Sequence, residues 1–93
     1  MKKIVYSAEA VENLKTIYNH VEENFSQEKA KNVIHSILEK ISSLEKFPHA
    51  GKTSALSALV RELVVEGNTI FYQTTEETID IVFIKPRKTK KLP

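Results

Sequence analysis

Four cations raise the first chemical question. Lys52 follows a glycine, Arg61 interrupts the apolar run LVRELVV, and Lys85 and Arg87 stand directly after the last β-prone run. Converging Lys and Arg side chains bind phosphate and carboxylate groups well, because their N–H donors carry full charge. If the strands that hold them are neighbours, these cations meet near one edge of a sheet face. The plainer arrangement of the same residues is a salt bridge from Arg61 to a cross-strand acid, with a solvated basic tail. Lys88 extends that tail as a further target or phosphate contact. Tyr72 is another candidate. Successive strand residues point to opposite faces, so either Phe71 or Tyr72 must face away from any covering layer. A tyrosine on an open face can stack a base, donate a proton or pack against a protein partner.

Other chemistries find less support. The three histidines are His20, His35 and His49. His20 and His35 lie off the apolar stripes of their helices, with no second histidine three or four residues away and no HExxH pattern. Both read as solvent-facing. His49, in a loop after Pro48, is a residue type suited to general-base work but reads as exposed. With no cysteine, a disulfide scaffold and Cys-ligated zinc or iron–sulfur sites are excluded. The two glycines, Gly51 and Gly67, are too far apart for a phosphate-cradling loop, and GxSxG is absent. No metal and no cofactor are expected.

The elements that must position these residues are legible from periodicity. Residues 3–6, KIVY, read as a first strand, and Ser7 as the N-cap of a helix with Glu9 in its first turn. Val11, Leu14, Ile17, Tyr18, Val21 and Phe25 recur at spacings of three and four, one apolar helical face. Ser26 caps a second helix, whose stripe runs Ala30, Val33, Ile34, Ile37, Leu38, Ile41 and Leu44, with Pro48 ending it. The short turn between the helices predicts an antiparallel hairpin. After a polar loop from Lys52 to Ala58 come three β-prone runs: 59–65, 69–74 and 78–85. They are separated by Glu66-Gly67-Asn68 and Thr75-Glu76-Glu77. Such gaps suit hairpins rather than crossovers. The predicted fold is α+β with order β-α-α-β-β-β: an N-terminal strand and a helical hairpin packed on an antiparallel sheet whose other face is partly open. Alternation puts Arg61, Leu63 and Val65 on one face of their strand. Tyr6, Tyr18, Phe25, Phe47, Phe71 and Phe83 read as core.

Length and composition bound the rest. Ninety-three residues predict one domain, 1–93, and 41% apolar with 28% charged residues fits a globular chain. No apolar run approaches a membrane span or a secretory signal, which makes the cytoplasm the default compartment. The net charge of +2 conceals an asymmetry. Residues 1–84 hold 9 basic and 12 acidic side chains, whereas 85–93 hold 5 basic and none acidic. A mildly acidic body carries a basic C-terminal segment.

The chain resembles the RelE/ParE superfamily of bacterial toxins from type II toxin–antitoxin pairs. The resemblance rests on KIVYS followed by Ala8 and Ala10, Leu14-x-x-Ile17-Tyr18, the Phe25-Ser26…Ala30 junction and Ile41-x-x-Leu44. FPHAG with Lys52, then VREL, IFYQ and IDIVFI with its basic end, complete the ordered set. It implies the same β-α-α-β-β-β fold and a growth-inhibiting toxin neutralised by a cognate antitoxin. Operator DNA would be reached only through that antitoxin.

The resemblance leaves two targets open. RelE-like members cut messenger RNA on the ribosome, and ParE-like members inhibit DNA gyrase and are not nucleases. Cleavage by 2′-hydroxyl attack needs a proton acceptor, a cation for the phosphate and a proton donor. The family pattern would place Lys52, Arg61, Lys85 and Arg87 there, as catalytic residues only if the chain is a nuclease. Many RelE-like nucleases carry a C-terminal Tyr. Here nothing after Phe83 is aromatic and no histidine follows His49. The long helical pair joined at ENFSQEKA is more ParE-like, which makes gyrase the expected target and messenger RNA the alternative. A non-toxic module that binds an antitoxin, nucleic acid or an acidic partner is the reading from another class.

Overall fold

The computed structural model describes residues 2–86. Strand β1 (Lys3–Tyr6) leads into helices α1 (Ala8–Asn24) and α2 (Gln27–Ser42), and a 3-10 turn (Ser43–Glu45) follows. The chain continues through β2 (Lys52–Thr53), β3 (Arg61–Val65), β4 (Asn68–Thr74) and β5 (Thr78–Pro86). The expected α+β order is present, with one addition and one difference. The two-residue β2, expected as loop, pairs antiparallel with β3. The first strand joins the sheet itself, parallel to β5, so the five-stranded sheet is mixed and runs β1-β5-β4-β3-β2. The β3–β4 and β4–β5 pairs form the antiparallel meander.

Both serine caps form. The Ala10 amide donates to Ser7 Oγ at 2.9 Å and the Lys29 amide to Ser26 Oγ at 3.0 Å. Helix α2 stops at Ser42 rather than running to Pro48. The Ser43 hydroxyl donates to the Lys40 carbonyl at 2.6 Å, a local bond that competes with helical continuation. Leu44 still reaches the core from the 3-10 turn.

The helices cover one sheet face with Ile17, Val33, Ile37 and Ile41, and the sheet answers with Ile70, Tyr72, Ile79, Ile81 and Ile84. Three inward isoleucines at 79, 81 and 84 break simple alternation. A β-bulge explains them: Phe71 pairs with Phe83 and Tyr72 with Ile81, leaving Val82 as the extra residue. The bulge also fastens α1 to the sheet. Ser7 Oγ donates to the Val82 carbonyl at 2.6 Å, the Ser7 amide to that of Ile81 at 3.0 Å, and the Ile84 amide to Asn13 Oδ1 at 2.8 Å.

The β3–β4 connection is tighter than its three-residue sequence gap suggested. Asn68 belongs to β4, leaving only Glu66 and Gly67, at φ 51° and 74°, as a two-residue hairpin loop. Two positive φ values mark a type I′ turn, which prefers Asn-Gly. Glutamate in the left-handed region costs roughly 1 kcal/mol. Glu66→Asn is therefore expected to raise unfolding stability by about 0.5–1 kcal/mol, read as a higher denaturant midpoint at unchanged slope.

Candidate functional site

A concavity of about 830 Å³ lies at one pole of the molecule, between α1, the start of α2 and the β3–β4 turn. Ile17, Val21, Phe25, Val33 and Ile84 supply its apolar lining. Local sequence explains why it exists. The helical hairpin turns at Phe25, whose amide donates to the Val21 carbonyl at 2.8 Å, and Ser26 immediately starts α2. No residue is left to fold the ring inward, so Phe25 stands 73% exposed at the groove mouth rather than in the core. The rim is polar, with His20, Lys29, Glu66, Asn68 and Lys85. An apolar trough edged by mixed charge accommodates an amphipathic peptide segment better than a small polar molecule.

The sheet face turned away from the helices is the second feature. Cross-strand register sets Lys52, Glu62, Phe71 and Phe83 in one row across β2, β3, β4 and β5. The Phe71 and Phe83 rings stack with centroids 4.4 Å apart, and Lys85 Nζ lies 5.0 Å from the Phe83 centroid. These two phenylalanines, expected in the core, form a half-buried aromatic strip on the open face instead. Lys85 belongs both to this strip and to the groove rim.

Tyr72 takes the opposite face. It is fully buried, and its hydroxyl accepts from the Gly51 amide at 2.9 Å and donates to the Pro48 carbonyl at 3.0 Å. The expectation that Tyr72 contacts a target is corrected: Phe71 is the member of the pair that looks outward. Arg61 pairs with Tyr72 across the sheet and so shares the helix-side face. Its Nη1 donates to the Gly51 carbonyl at 2.7 Å. Tyr72 and Arg61 together pin the loop from Pro48 to Gly51 against the sheet edge.

The expected cluster of cations is therefore not assembled among the described residues. Arg61 faces the helices, whereas Lys52 and Lys85 face away from them. The backbones of Lys52 and Lys85 stand three strand intervals apart, about 14 Å across the sheet, and two residues out of line along the strands. Arg87 and Lys88 lie outside the described residues. Arg61 also makes no salt bridge to a cross-strand acid. Glu62, its neighbour, accepts instead from Ser54 Oγ at 2.6 Å. His20 and His35 are exposed, as the helical pattern implied. His35 Nε2 lies 3.5 Å from Glu39 Oε2 on the same helix, and His49 is exposed in its loop. Among the described residues no group of three or more His, Cys, Asp or Glu is placed to hold a metal ion.

Sequence reasoning missed the groove because Phe25 continues the apolar stripe of α1 and reads as its last core residue. The signal available was its position directly before the Ser26 cap, where a helix has already ended.

Comparison with known proteins gives a consistent picture. A family model described as ParE toxin of type II toxin–antitoxin system, parDE, matches residues 4–90. No curated protein sequence matches significantly. Among solved structures, a chain of the chromosomal ParDE toxin–antitoxin system from P. aeruginosa superposes with a TM-score of 0.87 at 24% identity. That match covers 95% of this chain and 98% of the other. The YoeB dimer from Staphylococcus aureus gives 0.61 at 17% identity, covering 94% and 98%. The E. coli DinJ–YafQ complex gives 0.53 at 11%, covering 92% and 93%. At these identities the structural likenesses establish the fold, and the family match establishes the lineage.

Proposed function

Because the chain belongs to the ParE toxin family of type II toxin–antitoxin systems, we propose that it arrests growth by binding DNA gyrase. A cognate antitoxin neutralises it by laying an amphipathic segment in the groove at Phe25. The protein acts in the cytoplasm, where gyrase works. Among the described residues no helix is long and apolar enough to cross a membrane. Any link to operator DNA runs through the antitoxin.

The observation that carries the choice of gyrase over messenger RNA is the place of Arg61. Phosphate chemistry needs a cation free to meet the developing charge, with a proton donor beside it. One N–H of the Arg61 guanidinium is given to the Gly51 carbonyl on the helix side, and the Tyr72 hydroxyl is buried in bonds to the same loop. Both groups hold the loop from Pro48 to Gly51, which favours a part in the fold over a part in phosphate chemistry. The stacked Phe71 and Phe83 with Lys85 are suited to holding a protein surface.

Purified protein is expected to inhibit DNA supercoiling by gyrase, and to lose that inhibition when the product of the adjoining small reading frame is added. Arg61→Ala serves as the discriminating variant. Message cuts in primer extension that disappear in a folded Arg61→Ala protein would establish the RelE-like alternative instead. Expression that leaves growth unaffected would sink the toxin reading altogether.

A further inference from the structure

Glu66 strains the fold, and its carboxylate makes no contact that explains why. Its φ of 51° belongs to the left-handed region, where asparagine or glycine sits more easily. The side chain is exposed, and among the described residues the carboxylate makes neither a hydrogen bond nor an ion pair. Only the backbone carbonyl of Glu66 is engaged, by Asn68 Nδ2, which donates to it at 2.9 Å. Strain kept without a supporting side-chain contact points to use of that side chain in binding.

Position says where. Glu66 lines the groove, and so does Asn68, two residues on. Alternation along β4 groups Asn68 with Ile70 and Tyr72, on the face beneath the helices. At 7% exposure, Asn68 is the one buried polar side chain among the residues that line the groove. The Glu66 carbonyl can only accept, so the Asn68 atom bonded to it is the Nδ2 donor and the carboxamide has one orientation. Its Oδ1 is left without a partner among the described residues. No fully buried side-chain oxygen lacks a partner there, so this Oδ1 opens to the surface, at a residue that lines the groove.

The turn end of the groove therefore offers two acceptors side by side, a carboxylate and a braced carboxamide oxygen. The other polar lining groups are of the opposite kind. Asn13 Oδ1 already accepts from the Ile84 amide at 2.8 Å, which leaves that side chain its N–H donors to offer. Lys29 and Lys85 are cations, and Lys85 Nζ is drawn to the Phe83 ring. A guanidinium carries several N–H donors in a planar fork, so it can meet a carboxylate and a carboxamide oxygen together while its stem lies along an apolar wall. A nucleic-acid phosphate would meet a like charge at Glu66 and an acceptor at Asn68.

We propose that Glu66 and Asn68 form an arginine-reading subsite at the turn end of the groove, and that the arginine belongs to the antitoxin segment seated there. The inference rests on the antitoxin reading of the groove and adds the residue type by which a cognate segment is recognised. An amphipathic segment without arginine at that place would cover Asn68 Oδ1 and supply it no donor, which sets cognate apart from non-cognate partners.

E66Q keeps the side-chain length and the strained backbone and removes the charge. Titration calorimetry of the full chain with the product of the adjoining small reading frame is expected to show at least about tenfold weaker binding by E66Q, with a shallower dependence on salt. E66N is expected to unfold at a higher denaturant concentration than wild type and yet to bind at least about tenfold more weakly, a split that a merely structural role would not produce. Arginines of the partner, replaced singly by glutamine, should include one whose loss weakens binding to wild type about tenfold and leaves binding to E66Q unchanged. Binding by E66Q within about twofold of wild type overturns the proposal, as does the lack of a coupled arginine. So does tighter binding by E66Q, the result expected if the chain's own Arg87 were the group released from the subsite. Loss of affinity in Phe25→Ser without loss in E66Q leaves the groove reading standing and overturns this proposal alone. A wild-type chain that does not bind the product overturns both.

Discussion

Gly51→Ala is expected to lower unfolding stability by about 3 kcal/mol, a drop of roughly 12–24 °C in thermal midpoint for a domain of this size. A Cβ at position 51 would lie 2.5 Å from the Glu62 carbonyl oxygen and 2.9 Å from the Tyr72 hydroxyl. The first contact is with backbone in the β2–β3 ladder, so no side-chain rotation relieves it. The loop must withdraw from the sheet, and two hydrogen bonds go with it: Gly51 amide to Tyr72, and Arg61 to the Gly51 carbonyl. Methyl burial and reduced freedom of the unfolded chain return less than 1 kcal/mol. Tyr72→Phe isolates the hydrogen-bond part. It strands a buried amide and a carbonyl while keeping the ring, and is expected to cost about 1–3 kcal/mol. Denaturant titration of the three proteins measures both. A Gly51→Ala protein within 0.5 kcal/mol of wild type would mean that the loop is not held by the sheet.

The same latch shows where sequence reasoning succeeded and where it stopped. Alternation correctly grouped Arg61 with Leu63 and Val65, and those two pack against the core. The missing step was that Arg61 must then face the helices as well. It can do so because it sits at the first position of β3, where its guanidinium escapes sideways to the Gly51 carbonyl. A charged residue in an apolar run reads naturally as a surface site, but at the rim of a core it can serve as a loop anchor. Tyr72 and Phe71 were correctly expected to face opposite ways. Deciding which way required the carbonyl of Pro48, contributed from 24 residues upstream and invisible to any local pattern.

Helix caps, by contrast, were fully legible. Ser7 and Ser26 need only the amides three residues ahead, so their signal is contained in the local sequence. The bulge at Val82 was not legible, since it depends on the register of β4 and on the Ser7 hydroxyl 75 residues away. The groove at Phe25 falls between these cases. Its walls are two ordinary amphipathic helices with the β3–β4 turn and the end of β5, and its existence depends on how abruptly one helix ends and the next begins.

Phe25→Ser is expected to weaken binding of the product of the adjoining reading frame by about 30-fold, while leaving unfolding stability within about 0.5 kcal/mol of wild type. The two halves of this expectation have the same cause. At 73% exposure the ring contributes little to the core, so its removal opens no internal cavity. The same exposure means that a segment seated in the groove would bury the ring on binding. At about 25 cal/mol per Å² of apolar surface, covering most of a phenylalanine ring amounts to about 2 kcal/mol, which is the factor quoted. Leu59→Ser, at the opposite pole and equally open to water, is the matched comparison and is expected to leave this affinity unchanged. Titration calorimetry with the three proteins gives the answer directly. An affinity within threefold of wild type for Phe25→Ser would move the antitoxin off the groove. The aromatic strip of Phe71 and Phe83 would then be the next surface to test, because it is the other extended apolar face that the helices leave uncovered.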